Sequence, residues 1–432
     1  MRRLAISALL LLTAGSLWAQ QPLKPRPDAF PPVHEAIGSK AVAMAATVDD
    51  MAAWDRYPTY ETYLAMMQRW AERYPDLCTI DTIGTSVRGR LILAAHIEGN
   101  RSLDLYRPQF FYSSTIHGDE VTGYVMMLRL IDTLLASYGT SQRLTDMVDE
   151  TAIYINPLAN PDGTYWQGNQ SVQGSMRYNA NWVDLNRNYP DPFGGVKAAV
   201  EPENEAMIDY FAAHSFRLSA NLHGGSEVMN YPWDCFTSLQ NPHPQADWWK
   251  EVCKRFVDTT RTYNATLFRD VVSSGVIAGG DWYVIHGGRQ DYVNYYHNCL
   301  EVTMEVSTVK TLSSDLLPAY WNALNHSFIN YIAEVYSLPE GVGIADGQLS
   351  AAGARLIVCP NPASGLITVQ GLDPDAEVRL LDLSGRCLLR GNGPTFDLSV
   401  LPAGVYVLQV DGGRRGADDV QKYGRSTRII KK

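Results

Sequence analysis

The 432-residue chain is long enough for one large domain and a smaller one, and its 46% hydrophobic and 19% charged residues are typical of globular proteins, not of disordered chains. Its formal net charge of -10 argues against a nucleic-acid partner, because such proteins carry a clustered basic surface. The six cysteines include no Cys-x-x-Cys pair, so a cysteine-based zinc site is unsupported.

The N-terminal residues 1–19 have the features of a signal peptide. Arg2 and Arg3 precede an apolar run at 5–14, and small residues then lead to a cleavage position after Ala19. A membrane anchor is the alternative, but the run is shorter than the roughly 20 apolar residues that a span needs. We therefore predict export and no transmembrane segment, and we interpret the Pro- and Ala-rich residues 20–50 as a linker or pro-segment.

Residues 51–338 carry alternating helix and strand patterns. Apolar residues at helical spacing predict a helix that begins near Tyr60 and another at 121–135. Apolar runs of strand length lie at 91–97, 110–116, 151–156, 218–222 and 300–306. This alternation predicts an α/β domain with a mixed central sheet flanked by helices. Functional sites in such sheets collect at the carboxyl ends of the strands.

The composition changes after residue 338. Small residues dominate at 339–353, which we interpret as a linker. Short strand patterns separated by turn sequences then follow at 356–358, 366–369, 378–383 and 405–410. The sequence therefore predicts a small all-β sandwich over 354–432.

A candidate metal site begins with His117 and Glu120, where a buried strand gives way to a helix. A His and a Glu three residues apart can reach one ion, and catalytic zinc sites use three N or O ligands, although a single such pair is common by chance. The strand at 218–222 delivers His223, which alone would be interpreted as a structural histidine. Together the three residues predict one Zn2+ per chain.

Two further segments offer groups for catalysis and binding. Glu301 and Glu305 lie on one face of the strand at 300–306, and a metal-bound water needs a base nearby. An edge strand with a solvated face would explain the same two residues. Asn186 and Arg187 could bind the terminal carboxylate of a peptide, because arginine binds carboxylates in a bidentate manner. A polar surface loop is the alternative there.

Five ordered motifs lie between Tyr57 and Leu338. They are HGDE at 117–120, NPDG at 160–163, RYNANWVDLNRNYP at 177–190, NLHGGSEVMNYPWD at 221–234 and GGDWYVIHGGRQDYVNYYHNCLEVTMEVS at 279–307. In sequence and order they resemble the zinc metallocarboxypeptidases related to carboxypeptidases A and B, and most closely the subfamily of carboxypeptidases D, E, M and N. The resemblance implies a zinc carboxypeptidase-like fold and hydrolysis of the C-terminal peptide bond.

The resemblance also implies catalytic roles at matching positions. The zinc ligands match His117, Glu120 and His223. Asp184 matches the carboxylate that orients the first ligand histidine. Glu305 matches the general base and acid, and Arg177 matches the residue that polarises the scissile carbonyl and stabilises its oxyanion.

Substrate-binding roles follow in the same way. Asn186 and Arg187 match the residues that bind the terminal carboxylate, and Tyr283 matches the mobile tyrosine over the pocket for the departing residue. Asp234 matches an Asp that faces this pocket in the D, E, M and N subfamily, and Gln290 matches a polar pocket position. Because a buried carboxylate is costly unless a cation joins it, substrates ending in Lys or Arg are expected.

The C-terminal β domain resembles the sorting domain of the type IX secretion system, whereas the D, E, M and N subfamily usually carries a transthyretin-like domain there. The motifs are VCPNP at 358–362, LSGR at 383–386, LPAGVY at 401–406 and RIIKK at 428–432. This resemblance implies that the secretion machinery is a partner and that the chain passes through the periplasm to the cell surface or the medium. A generic accessory sandwich is the alternative.

Other functions are compatible with the same motifs. Asp234 could pair with Arg289, in which case the pocket would accept apolar C-terminal residues. Related folds also cut peptidoglycan stem peptides or remove glutamates, although those substrates favour a basic pocket. A non-catalytic peptide-binding module is a further possibility, and the intact Glu305 and metal ligands argue against it.

Overall fold

The computed structural model describes residues 42–99, 107–194 and 199–339 of the α/β domain. In the C-terminal part it describes 357–359, 363, 365–370, 377–381, 387–410 and 425–431. The predicted signal peptide at 1–19 and nearly all of the predicted linker at 339–353 lie outside the described residues.

The α/β domain begins earlier than the sequence predicts. A short parallel pair joins Met44–Ala45 to Tyr57–Pro58, and Met51 is buried in the main core between them. The interpretation of 20–50 as a linker or pro-segment therefore needs a correction at 42–50, because apolar side chains of this segment pack into the domain. The rest of that segment lies outside the described residues.

An eight-stranded mixed sheet forms the centre of the domain. Its strands are β1 Cys78–Thr85, β2 Leu91–Ile97, β3 Gln109–Ser114, β4 Ala152–Asn156, β5 Phe216–His223, β6 Ser226–Tyr231, β7 Val276–Ala278 and β8 Leu300–Ser307. They lie in the order β1-β2-β4-β3-β5-β8-β6-β7, and the four central strands are mutually parallel. The mixed sheet is confirmed, and β1, β6 and β7 are strands that the sequence analysis missed.

Helices pack on both faces of this sheet. They are α1 Tyr60–Arg73, α2 Thr122–Ser137, α3 Gln142–Glu150, α4 Pro161–Thr164, α5 Pro202–Ala213, α6 Ala246–Tyr263, α7 Gly279–Trp282, α8 Arg289–Tyr296 and α9 Leu317–Ala333. Successive strand residues point to opposite faces, so Phe110 and Tyr112 of β3 enter one core with α1, α2, α6 and α9, while Phe111 enters a second core with α5 and α8. Burial on both faces explains the continuous apolar runs of the central strands.

The parallel strands at the centre of the sheet bring three of the predicted site residues to one edge. His117 follows β3 closely, His223 ends β5, and Glu305 lies near the end of β8. Glu305 is the register partner of His223. The carboxyl ends of adjacent parallel strands meet at one edge, so the sequence-predicted site residues come together there.

The described residues of the C-terminal part form β-strands, as predicted for a β domain. Its strands are β9 Ile357–Cys359, β10 Leu366–Gln370, β11 Glu377–Leu381, β12 Cys387–Asn392, β13 Thr395–Asp397, β14 Gly404–Val410 and β15 Arg425–Lys431. They form a three-stranded sheet, β9-β10-β13, and a four-stranded sheet, β12-β11-β14-β15. Ile367 of the first sheet and Leu380 of the second share one core, which is the arrangement of a small sandwich.

Two features of the described residues bear on the predicted export, namely their helices and their cysteines. Among the described residues, no helix combines the length and apolar composition needed to cross a membrane. In the part of the chain that the structure describes, the thiols of Cys235, Cys253, Cys299 and Cys387 form no disulfide bond.

Candidate active site

The predicted metal ligands form one buried cluster, with a ligand atom from each within 4.8 Å of the others. Nδ1 of His117 lies 3.0 Å from Oε1 of Glu120, and Nδ1 of His223 lies 2.8 Å from Oε2. The two Nδ1 atoms are 3.1 Å apart. Two imidazoles and a carboxylate that converge on one point are a donor set suited to zinc, so the residues present fit the predicted ion.

A close backbone approach shapes the loop between the first two ligands. The Gly118 N–H donates to the Arg177 carbonyl oxygen at 3.2 Å. A Cβ added at Gly118 would lie 2.3 Å from the carbonyl carbon of Gly163 and would clash with it. This position therefore requires glycine. Asn160 caps α4 by accepting from the Gly163 N–H, so the NPDG motif at 160–163 forms the start of a short helix beside the ligand loop.

Asp184 contacts His117, the first of the predicted ligands. Nε2 of His117 lies 3.1 Å from Oδ1 of Asp184, and donation of its N–H leaves Nδ1 for a metal. Burial opposes ionisation of Asp184, but His117, Arg177 and Arg187 hold its pKa well below the usual range. The ionised carboxylate therefore fixes the tautomer and the direction of the imidazole.

Glu120 is ionised despite its burial. Burial by itself would raise the pKa of this carboxyl, but the charges and hydrogen bonds of His117 and His223 hold it well below the usual range. The Gly224 N–H also donates to Oε2 at 3.2 Å. The site thus holds its carboxylate in the form that binds a cation.

Arg177 lies at the border of the metal cluster. Its Nη1 is 3.2 Å from Nδ1 of His117 and 3.4 Å from Oε1 of Glu120. Its Nη2 and Nε each lie 3.0 Å from Oδ2 of Asp184. The guanidinium is therefore held where it can reach an oxygen bound at the metal position.

The two glutamates of β8 have different surroundings. Glu305 is 1% exposed and is paired in register with the ligand His223 on β5. Glu301 lies four residues earlier, about 13 Å along the strand. It accepts hydrogen bonds from Ser219 at 2.8 Å and from Arg289 at 2.9 Å. Of the two, Glu305 lies beside the metal cluster, and Glu301 belongs to a buried ion pair.

The predicted carboxylate-binding residues share one turn. Asn186 is buried, and its Oδ1 accepts from the backbone N–H of Arg289 at 2.9 Å. Arg187 is half-buried, and its Nη1 donates to the Asn186 carbonyl oxygen at 2.9 Å. Tyr283 directly follows α7, half-buried, with its ring edge-on to Trp282.

Asp234 and Gln290 are brought together, although they are far apart in the sequence. Asp234 is 4% exposed, and its Oδ1 accepts from Nε2 of Gln290 at 3.0 Å. Gln290 in turn accepts from the Thr303 N–H of β8 at 2.6 Å. A Cβ added at Gly279 would lie 1.8 Å from Oδ1 of Asp234, so glycine makes room for this carboxylate.

Arg289 forms a buried ion pair with Glu301. Its Nη2 lies 2.9 Å from Oε2 of Glu301, with both side chains fully buried. Its guanidinium also stacks over the rings of Phe111 and Phe211, 5.3 Å from each centroid.

Sequence reasoning missed two residues that support the site. Asp291 accepts from the backbone N–H groups of Asp234 at 2.8 Å and Cys235 at 2.9 Å, and burial raises its pKa to about 6. Lys310 donates to Asp119, between two metal ligands, at 3.0 Å. Asp291 directly follows the predicted site residue Gln290, and this position was the signal that could have found it. For Lys310 the available signal was its partner Asp119, which lies within the HGDE motif.

Comparisons with known proteins match both parts of the chain. Residues 63–327 match the family model described as zinc carboxypeptidase, and 357–421 match that of a secretion system C-terminal sorting domain. Carboxypeptidase D of Anas platyrhynchos is 32% identical over 306 residues, which cover 66% of this chain and 22% of the relative. Carboxypeptidase M of Mus musculus is 33% identical over 302 residues, which cover 66% of this chain and 67% of the relative. The aligned part thus spans less than a quarter of that carboxypeptidase D.

Solved structures share the fold. Thrombin activatable fibrinolysis inhibitor aligns with a TM-score of 0.58 and 16% identity, covering 66% of this chain and 76% of that one. Carboxypeptidase A from Helicoverpa armigera aligns with a TM-score of 0.56 and 20% identity, covering 65% and 74%. At these identities the likeness shows the fold alone. All of the predicted site residues lie within the matched range 63–327.

Proposed function

The chain belongs to the zinc carboxypeptidase family, and we propose that it is a zinc-dependent exopeptidase that releases Lys or Arg from the C-terminus of peptides and proteins. The observation that carries the proposal is the convergence of His117, Glu120 and His223 on one point, with Arg177 at its border and Glu305 on the adjoining strand.

The chemistry divides among these residues. His117, Glu120 and His223 would hold a zinc ion, which would polarise the scissile carbonyl and lower the pKa of a water. Glu305 takes a proton from the attacking water and later delivers it to the leaving amine. Arg177 donates hydrogen bonds to the carbonyl oxygen as negative charge develops there. Asp184 keeps both Arg177 and His117 in position.

Restriction to chain ends follows from Asn186 and Arg187. In this proposal they bind the terminal carboxylate of the substrate, and an internal peptide bond presents no such group. Tyr283 covers the bound residue. The buried side-chain amide of Asn186 accepts a hydrogen bond from the Arg289 backbone N–H. This supports the proposed role, because an amide with a fixed orientation need not rearrange when the substrate binds.

Basic specificity rests on Asp234. A buried carboxylate is stabilised by a cation, and a substrate Lys or Arg supplies one. Gln290 donates a hydrogen bond to Asp234 and holds it in place. The guanidinium of Arg289, whose pairing with Asp234 would favour an apolar pocket, forms an ion pair with Glu301. Both observations support substrates with basic C-terminal residues.

The sorting-domain match indicates export through the type IX system to the cell surface or the medium. We propose that residues 1–19 are removed as a signal peptide and that the β domain is the signal that the secretion machinery recognises. Deleting residues 354–432 and following the enzyme by cell fractionation tests this point.

A zinc analysis and a C-terminal residue scan together test the enzymatic proposal. Purified protein should hold one zinc per chain, lose activity to a chelator and regain it with zinc. Matched peptides ending in Arg, Lys, Phe and Leu should be cleaved in favour of Arg and Lys, with one residue released. Active protein that contains no zinc, or cleavage at internal bonds, would contradict the proposal.

A further inference from the structure

We infer that an aromatic surface beside the metal cluster binds the substrate upstream of its scissile bond, preferably through an aromatic side chain. Trp166, Tyr178 and Trp182 form this surface. The inference rests on the proposed carboxypeptidase function and adds a binding site that acts only on longer peptides.

The aromatic surface is open to solvent. Trp182 is 60% exposed and Tyr178 is 36% exposed. The ring of Trp182 lies edge-on to Trp166 at 5.0 Å and is tilted against Tyr178 at 6.3 Å. The guanidinium of Arg88 stacks over Trp166 at 4.2 Å. Burial of aromatic side chains stabilises a fold, so rings that are clustered in contact with water are typical of a binding surface.

The backbone holds Trp182 outward against its own preference. Its φ is 61°, in the left-handed region that large side chains rarely adopt. Asn179 fixes this turn, because its Oδ1 accepts from the N–H groups of Asn181 and Val183 at 3.0 Å each, while its carbonyl accepts from the Trp182 N–H at 3.1 Å. A strained backbone and an exposed indole both oppose stability, and such features persist where they serve binding.

The aromatic surface borders the metal cluster. The segment that carries Trp182 is anchored to His117 at both ends, by Arg177 at 3.2 Å and by Asp184 at 3.1 Å. Trp182 lies two residues before Asp184, so their Cα atoms are at most about 8 Å apart. A peptide bound at the metal cluster is therefore within reach of the indole.

The direction of the substrate follows from its two ends. Its last residue is held by Asn186 and Arg187, and its scissile carbonyl lies at Arg177. The remaining peptide continues away from the carboxylate binders, and the exposed residue next to Arg177 is Tyr178. The residues upstream of the bond thus meet Tyr178 and Trp182, where an aromatic side chain can stack edge-to-face.

Trp182→Asn tests the inference, because asparagine tolerates the left-handed backbone better than tryptophan does. The substrates are an acylated dipeptide and hexapeptides with the same last two residues, with Phe placed in turn third, fourth and fifth from the C-terminus, or with Ala at all three positions. We expect kcat/KM for the best Phe peptide to fall about 3- to 10-fold, chiefly through KM. The dipeptide and the Ala peptide should change less than about twofold, and Tm should not fall.

Two variants serve as controls. Trp182→Phe should recover most of the preference for the Phe peptide. Tyr263→Asn removes an aromatic side chain that is 54% exposed and stacks on His326 in another part of the domain, and it should leave the preference unchanged.

Two results would overturn the inference. One is an equal loss on the dipeptide and on all hexapeptides, and the other is wild-type protein that cleaves Phe and Ala hexapeptides equally well. If zinc-loaded wild-type protein cleaves none of the peptides, the proposed function fails instead, and the two failures are thereby distinguishable.

Discussion

Asp234→Asn separates the charge of the pocket from its shape. Asparagine keeps the side-chain oxygen that accepts from Gln290 at 3.0 Å, and it has nearly the same volume as aspartate. The substitution therefore removes the negative charge while the local hydrogen bond and packing are retained. In the proposed pocket this charge pairs with the side chain of a departing Lys or Arg.

The magnitude follows from burial. Asp234 is 4% exposed, so solvent screens its charge weakly. Removing one partner of a buried ion pair costs about 3–5 kcal/mol. Because about 1.4 kcal/mol equals a factor of ten, kcat/KM for substrates ending in Arg or Lys should fall about 100- to 4000-fold. Substrates ending in Leu lose no ion pair, and their kcat/KM should stay level or rise.

Steady-state kinetics on peptides that differ only in the last residue measure this effect. The ratio of kcat/KM for Arg to that for Leu is the informative quantity, because it cancels any common loss of folded protein. Asp247→Asn, which removes a carboxylate that is exposed on α6, is the matched control and should leave this ratio unchanged. A wild-type preference for Phe or Leu, or an unchanged ratio in Asp234→Asn, would refute the reasoning.

Three further predictions concern catalysis, pH and export. Glu305→Gln should keep the fold and the bound zinc but lower kcat about 1000-fold or more, because the proton shuttle is removed; near-normal turnover would assign the base elsewhere. Burial raises the pKa of Asp291 from 3.8 to about 6, so the stability that the protonated carboxyl contributes below about pH 4 is lost as the pH rises through about 6. From about pH 4 to about pH 6, the free energy of unfolding of wild type should fall by about 3 kcal/mol more than that of Asp291→Asn. The same pH dependence for both proteins in denaturant titrations would contradict this. Deleting 354–432 should leave active enzyme in the periplasm, and unchanged surface delivery in cell fractionation would exclude the sorting role.

The sequence was most informative where geometry follows from strand direction. His117 and His223 lie far apart along the chain, but each follows an apolar run that had to be a buried strand, and parallel strands bring their carboxyl ends to one edge. The same reasoning placed Glu305 on β8, but it could not separate Glu305 from Glu301. In the structure, the register with His223 and the ion pair of Glu301 with Arg289 distinguish the two glutamates.

Other features depend on contacts that have no local pattern. The segment at 42–50 has little hydrophobic periodicity, and it belongs to the domain because a few of its apolar side chains pack into the core. The engagement of Arg289 with Glu301 depends on where α8 begins relative to β8, which composition does not fix. Asp291 likewise supports the pocket through two backbone N–H groups of a distant loop.

Asp184 connects functions that the sequence analysis treated separately. Its carboxylate contacts the ligand His117 and the guanidinium of Arg177, and it accepts from the backbone N–H of Asn186 at 3.0 Å. The orientation of a metal ligand, the group proposed for the oxyanion and the turn proposed for the terminal carboxylate therefore share one anchor. Since these groups must act on adjacent atoms of one substrate, a common anchor keeps their spacing fixed, and small displacements of Asp184 would disturb all three at once.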